Sequence, residues 1–309
     1  MEYLPAIVVA GFLFVLLLFS YQIFQTLFQN PRRKLIIEKI PEASMAKAQH
    51  YWQGIENFKK LNPQELDIVH QGYKLHGYYL PTKNPVTIIL LHGWQDEAEM
   101  KMREGFEYAQ LGYSVFLPDL RSHGKSQGKY IGMGISDRYD IIAWLNHLQK
   151  LSGSELEFVL DGSSIGAAAI LSLSGEGNFP KSVKALISDS SFASLRGLIS
   201  GMVHFPSQYL KQIHMWAIEQ WCKLICHYTF DEITPIEAVK KSTTPTFFIH
   251  GAQDKFVLLS AAQEMIQACN APKEIWIVEN ASHNAASWVA RDEYIPKKVK
   301  FLQQYVTKI

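Results

Sequence analysis

Residues 3–31 carry no charged side chain, and the centre of that stretch, 7–19, is apolar without a break. Crossing a bilayer core takes roughly 20 apolar residues, so the pattern predicts an N-terminal transmembrane helix over 4–28. A cleaved signal peptide fits less well, because no Lys or Arg precedes the run and no small-x-small site closes it. Residues 29–65 then read as a helical connector. Met45, Ala48, Trp52, Ile55 and Phe58 recur at three- and four-residue steps, which is one apolar stripe on a helix.

The rhythm changes after that. Residues 66–70 and 73–80 flank Gln71-Gly72, a turn signal, and read as an antiparallel pair of strands. Solid apolar runs follow at 86–91, 114–117, 156–160, 185–187, 246–249 and 275–278, the pattern of strands buried on both faces. Helical stretches separate them at 97–111, 136–151, 165–173, 260–268 and 292–306. This alternation predicts an α/β domain over 66–309, with a mostly parallel central sheet and helices on both faces. One insertion interrupts it. Between Asp189 and Pro245 no strand is evident, and Phe192, Met202, Phe205, Tyr209, Trp216 and Trp221 crowd the stretch. Loops leaving the strands form the ligand side of such a sheet, so a helical cap over about 193–240 is expected. Some of its aromatic residues are simply the buried faces of its helices.

Candidate chemistry is concentrated where the third parallel run ends. Leu160-Asp161-Gly162-Ser163-Ser164-Ile165-Gly166 reads as a strand, a sharp turn and a helix opening on small residues. The spacing Gly162-x-Ser164-x-Gly166 is that of a nucleophile elbow, which lifts a serine to the head of a helix. Such a serine needs a base, and the base needs an orienting acid. Among the later histidines, His283 lies in a short loop after the last strand, facing the same sheet edge. His250 also ends a strand, but its setting suits a structural role. His204, His214 and His227 fall in the cap. The candidate acids are Asp254, one strand-helix unit before His283, then Asp189 at a strand end, and Asp231. Two amides could serve an oxyanion. One is that of Ile165. The other is that of Trp94, in Leu91-His92-Gly93-Trp94, where Gly93 permits close backbone approach.

Together these motifs resemble the α/β-hydrolase superfamily across about 66–306. They include Asp119-Leu-Arg-Ser-His-Gly-Lys-Ser126, Asp189-Ser-Ser-Phe192, His250-Gly-Ala-Gln-Asp254 and Ala281-Ser-His283. More narrowly, the chain is similar to membrane-tethered BEM46-like and serine-aminopeptidase-like members. The resemblance implies a triad of Ser164, Asp254 and His283. It also implies a structural role for the Asp119 loop, braced by Asp119 and Arg121.

Composition narrows the function. A formal net charge of +1 argues against nucleic-acid binding, which needs a basic face. Cys222, Cys226 and Cys269 form no disulfide framework. Cys222 and Cys226 lie one helical turn apart without the further ligands of a zinc site, and read as packing residues. Arg32, Arg33 and Lys34 directly follow the apolar run, so the positive-inside rule predicts a single-pass cell-membrane protein with its catalytic domain in the cytoplasm. The expected activity is a serine hydrolase acting on an ester or thioester of a small acyl substrate. It requires no metal or organic cofactor and no obligate protein partner. A membrane-tethered serine peptidase, and a non-catalytic binding protein on the same fold, are the alternatives.

Overall fold

The computed structural model describes residues 3–30, 42–153 and 155–307. Two helices precede the sheet, α1 (Leu4–Phe28) and α2 (Glu42–Lys60). The strands and helices that follow are β1 (Gln64–His70), β2 (Tyr73–Leu80), β3 (Val86–Leu91), α3 (Met102–Gln110), β4 (Ser114–Pro118), α4 (Ile135–Ser152), β5 (Glu157–Ser163), α5 (Ile165–Ser174) and β6 (Val183–Asp189). Next come α6 (Leu195–Met202), α7 (Gln208–Trp221), α8 (Pro235–Val239), β7 (Thr246–Gly251), α9 (Leu259–Ala268), β8 (Lys273–Val278), α10 (Ala286–Val289) and α11 (Arg291–Leu302).

The strands form one eight-stranded sheet in the order β1-β2-β4-β3-β5-β6-β7-β8. β1 and β2 pair antiparallel, as do β2 and β4, and every other neighbouring pair is parallel. Successive side chains on a strand point to opposite faces, and both faces here are covered. Ile89, Leu91, Phe158, Leu160, Leu186 and Phe248 pack beneath α4, α5 and α9. Ile88, Leu90, Val159, Ala185, Ile187 and Phe247 pack beneath α2, α3 and α11. β5 runs three residues beyond the apolar stretch that announces it. The polar Asp161 and Ser163 stay in the strand because their backbones continue the ladder, with Asp161 opposite Leu90 of β3 and Ser163 opposite Asp189 of β6. The helix expected over 97–111 begins instead with a short 3₁₀ turn, Ala98–Lys101, before α3.

The transmembrane helix expected over 4–28 requires correction. Among the described residues, no helix is long and apolar enough to cross a membrane. The C-terminal part of α1 is built into the domain. Phe24 and Phe28 are fully buried, Leu27 is buried, and Phe28 packs against Tyr228 and Phe230. Ser20 bonds His214 of α7 at 2.8 Å, and the Trp221 indole donates to the Leu17 carbonyl. Residues committed to a protein core cannot also sit in lipid. What precedes Ser20 is about 16 helical residues, or about 24 Å at 1.5 Å per residue, short of the ~30 Å hydrocarbon core. In that part Ile7, Val8, Phe14 and Val15 are exposed. Phe28→Leu, which keeps the apolar side chain but loses the aromatic pairs, is expected to lower stability by about 1 kcal/mol in urea unfolding.

Arg32, Arg33 and Lys34, and the side chains of Met45 and Ala48, lie outside the described residues. The rest of the α2 stripe packs on the domain. Ile55 and Phe58 are buried, and Tyr51 stacks on Trp288 at 4.7 Å. The insertion between β6 and β7 carries α6, α7, a π-helical turn at Cys222–Cys226, a 3₁₀ turn at Phe230–Glu232 and α8. Many of its apolar side chains, including Leu195, Ile199, Met215, Ile218 and Phe230, join the main core.

Candidate active site

Ser164 stands between β5 and α5 with φ 52° and ψ −113°, a backbone conformation that non-glycine residues rarely adopt. The turn is held from below by the Ser164 amide donating to the Asp189 carbonyl at 2.9 Å. Its flanking glycines are steric necessities. A Cβ on Gly162 would lie 2.6 Å from the Ala167 nitrogen, and one on Gly166 would lie 2.7 Å from the His92 carbonyl oxygen. The side chain is thereby placed at the open N-terminal end of α5, where backbone amides have no intrahelical partner. Ile165 is the first residue of that helix.

His283 and Asp254 reach Ser164 from the ends of β8 and β7, which are neighbours in the sheet. His283 Nε2 lies 3.1 Å from Ser164 Oγ, and His283 Nδ1 lies 2.7 Å from Asp254 Oδ2. Asp254 Oδ1 accepts from the amides of Phe256 and Val257, both at 2.9 Å. Burial pushes the Asp254 carboxyl up. The hydrogen bond and charge of His283, with the two loop amides, outweigh it and hold the group below its ordinary value of 3.8.

That shift has a definite sign in stability. A carboxyl depressed in the folded state stabilises the fold above the unfolded value, and this contribution disappears as pH falls through the folded value. The stability gap between the native protein and Asp254→Asn is therefore expected to be constant above about pH 5. It should narrow on further acidification, as read from denaturation midpoints at a series of pH values.

The other candidates have different partners. Asp189 Oδ2 accepts from Tyr294 at 2.7 Å and Oδ1 from Ser190 at 2.8 Å. Ser190 Oγ in turn accepts from the Asn284 amide, next to His283. Asp189 thus braces the histidine loop without touching the imidazole. Asp231 is paired with Arg196. His250 Nε2 bonds the Val257 carbonyl, His214 bonds Ser20, and His204 bonds the Met202 carbonyl.

The oxyanion loop is positioned from two sides. His92 is fully buried, and burial, with His123 nearby, keeps its pKa well below the ordinary range. The neutral ring donates from Nδ1 to the Gly93 carbonyl and accepts at Nε2 from the Leu120 amide. The Trp94 indole donates to the Leu27 carbonyl of α1 at 3.0 Å. Among the described residues the Trp94 amide has no hydrogen-bond partner. The Asp119 loop is tied both within itself and to its neighbours. Asp119 accepts the amides of Ala98 and Lys125, and Arg121 pairs with Asp140.

Beneath the elbow lies a polar cluster with no signal in the sequence pattern. Lys298, wholly buried, donates to Asp161 at 2.9 and 3.0 Å and to Glu104 at 3.3 Å. Lys101 donates to Glu104 at 2.9 Å and to Ser163 Oγ at 2.6 Å, one residue before Ser164. Burial works to raise the Glu104 carboxyl, but the charges of Lys101 and Lys298 prevail and bring it down to about 2. Beside the imidazole, Phe256 lies 4.8 Å from the His283 ring and also lines an apolar groove of about 290 Å³. Phe192, Leu198, Val257, Leu258 and Ala261 complete the apolar wall of that groove. Among the described residues, no cluster of three His, Cys, Asp or Glu could hold a metal ion.

Sheet order, covering helices and a serine turn followed by acid and histidine loops define a hydrolase of the α/β-hydrolase superfamily. Residues 100–308 match the prolyl oligopeptidase family, and the chain belongs to it. The protein YqkD of Bacillus subtilis (strain 168) is 26% identical over 236 residues, covering 75% of this chain and 76% of its own. Among solved structures, the Pyrococcus furiosus esterase Pf2001 matches with a TM-score of 0.65 at 23% identity, over 80% of this chain and 95% of that one. An acylaminoacyl peptidase matches with a TM-score of 0.61 at 15% identity, over 80% of this chain and 42% of that one. Likeness at these identities speaks to the fold alone.

Proposed function

We propose that the chain is a serine acyl hydrolase that cleaves a carboxylic ester or thioester through an acyl-enzyme. The observation that carries this reading is the unbroken Asp254–His283–Ser164 hydrogen-bond chain, 2.7 and 3.1 Å, ending at a strained turn. His283 Nε2 takes the Ser164 proton as Oγ attacks the carbonyl carbon. Asp254 holds the tautomer with the proton on Nδ1 and stabilises the imidazolium that forms. The amides of Trp94 and Ile165 receive the oxyanion. His283 then passes its proton to the leaving group, and water, activated by the same imidazole, releases the acid and frees Ser164. The apolar groove behind Phe256 suits a hydrocarbon portion of the substrate.

Membership of the prolyl oligopeptidase family favours a second reading, a serine peptidase using the same residues. Turnover of p-nitrophenyl acyl esters of graded chain length, set against peptide p-nitroanilides, separates the two. Ester hydrolysis that varies with acyl chain length, with no cleavage of the peptide anilides, supports the first reading. Cleavage of the peptide anilides replaces it with the second, and inertness across both sets leaves a non-catalytic binding protein.

The proposed location is the cytoplasmic face of a membrane. The exposed apolar side chains of Ile7, Val8, Phe14 and Val15 support contact with a membrane, because large exposed apolar patches mark interaction surfaces, and Arg32, Arg33 and Lys34 after the apolar run favour the anionic cytoplasmic leaflet. Protease added outside intact cells should spare the domain. Its digestion there would place it on the other side.

A further inference from the structure

A substantial cavity lies away from Ser164. A pocket of about 490 Å³ opens between the Asp119–Tyr130 loop, the start of α4 and the end of the cap. That volume falls within the ~300–1,000 Å³ of small-molecule sites. The last turns of α1 stand between it and the Trp94 loop. On one side Phe24 and Phe28 pack against Tyr130 and Tyr228, both of which line the pocket. On the other, the Leu27 carbonyl holds the Trp94 indole.

The lining has a definite chemistry. Arg121, Lys129 and His227 contribute to it, and no Asp or Glu does. Arg121 is a buried guanidinium whose Nε and Nη2 are spent on Asp140 and Gln71. Among the described residues its Nη1 has no partner. The same guanidinium lies 4.5 Å from the Tyr73 ring, and Lys129 lies 5.2 Å from the Tyr130 ring. Tyr73 and Tyr139 are exposed at the mouth. The cap meets the pocket through irregular backbone. The π-helical turn Cys222–Cys226 ends on His227 at φ 61°, and Ile225, Cys226, His227 and Tyr228 all face the cavity. Single π-turns inside α-helical segments are frequent at functional sites. Non-glycine residues at positive φ need the surrounding structure to hold them.

We propose that this pocket is a second ligand site, separate from the serine, and that it takes a small aromatic anion. Its ring would stack among Tyr73, Tyr130 and Tyr139, and its carboxylate or phosphate would meet Arg121 Nη1 and Lys129. Planar guanidinium groups favour such oxyanions, and aromatic faces favour a ring over a saturated group of equal size.

Isothermal titration with benzoate and with phenyl phosphate tests this, using cyclohexanecarboxylate as the control whose ring is saturated and phenol as the control without a charge. Both aromatic anions should bind, and both controls should bind at least about tenfold more weakly, a difference of about 1.4 kcal/mol. Lys129→Ala and Tyr139→Ala, at exposed positions, should each weaken binding severalfold with unchanged thermal midpoints, and Tyr139→Phe should retain it. Binding should also persist after Ser164 is capped by a fluorophosphonate, with capping verified by mass. Absence of binding, or binding indifferent to the Lys129 and Tyr139 variants, would overturn the proposal. So would binding abolished by the capped serine, which places the anion in the catalytic cleft.

Discussion

Ser164→Ala is expected to abolish covalent capture by a fluorophosphonate probe and to lower ester turnover by about 10⁴–10⁶-fold, leaving only what substrate binding and oxyanion stabilisation supply. The loss should fall on kcat with little change in KM, because the hydroxyl acts in the chemical step and contributes little to ground-state binding. The fold should tolerate the change. Ser164 Oγ has one partner, His283, and the turn is held by backbone bonds and the flanking glycines, which alanine leaves intact. Ser163→Ala is the informative control. Its hydroxyl points at Lys101, away from the histidine. Labelling should survive in that variant, and its loss there with retention in Ser164→Ala would reassign the nucleophile.

Lys298→Met is expected to be the most damaging substitution away from the serine, lowering stability by about 3–5 kcal/mol, because it leaves the buried Asp161 without its bonded cation and takes one of two from Glu104. Lys298 is wholly buried, is bonded to both Asp161 and Glu104, and lies 3.9 Å from the centre of the Tyr294 ring. Removing the ammonium leaves Lys101 as the one cation bonded to Glu104, and leaves Asp161 with the Tyr108 hydroxyl. Urea unfolding measures the loss. The double variant Lys298→Met with Asp161→Asn should recover part of it, since the stranded charge is removed along with its partner. A single-variant loss below about 1 kcal/mol, the size of an exposed pair, would show that solvent reaches the cluster.

The elbow was readable because its chemistry is steric. A turn this tight requires glycine at 162 and 166, and glycine at that spacing around a serine is rare enough to stand out. Asp254 and His283 were readable through topology: consecutive strand-helix units bring successive strand ends side by side, and the two loops follow neighbouring strands. Asp189 shows the limit of that logic. It too ends a strand next to Ser164, and only the folded arrangement shows that Tyr294 and Ser190 occupy its oxygens while His283 turns to Asp254.

Other features left no trace that a pattern could carry. The polar Ser20, Gln22, Gln25 and Thr26 all fall in the C-terminal turns of α1, but the apolar side chains alone do not show which of them enter the protein core. Phe24 and Phe28 look no different from Phe14 and Phe19, yet the first two are fully buried and the latter two are exposed. The anchoring of Trp94 by Leu27 was hidden for the same reason, since it uses a backbone carbonyl. Lys298 reads as one more solvated lysine on a C-terminal helix. Its partner Glu104 lies 194 residues earlier, and only the packing of α3 and α11 on the same sheet face joins them.

The central claim is that Ser164 becomes acylated with His283 and Asp254 behind it. It is tested most directly by mixing the protein with a p-nitrophenyl acyl ester, quenching in acid within the first turnover, and locating the added acyl mass by peptide mass spectrometry. The account predicts a burst of p-nitrophenol and an acyl group on the Ser164 hydroxyl. It also predicts that His283→Ala forms that adduct far more slowly. Hydrolysis that proceeds with no adduct, or an acyl group carried on Ser163 or another residue, would contradict it.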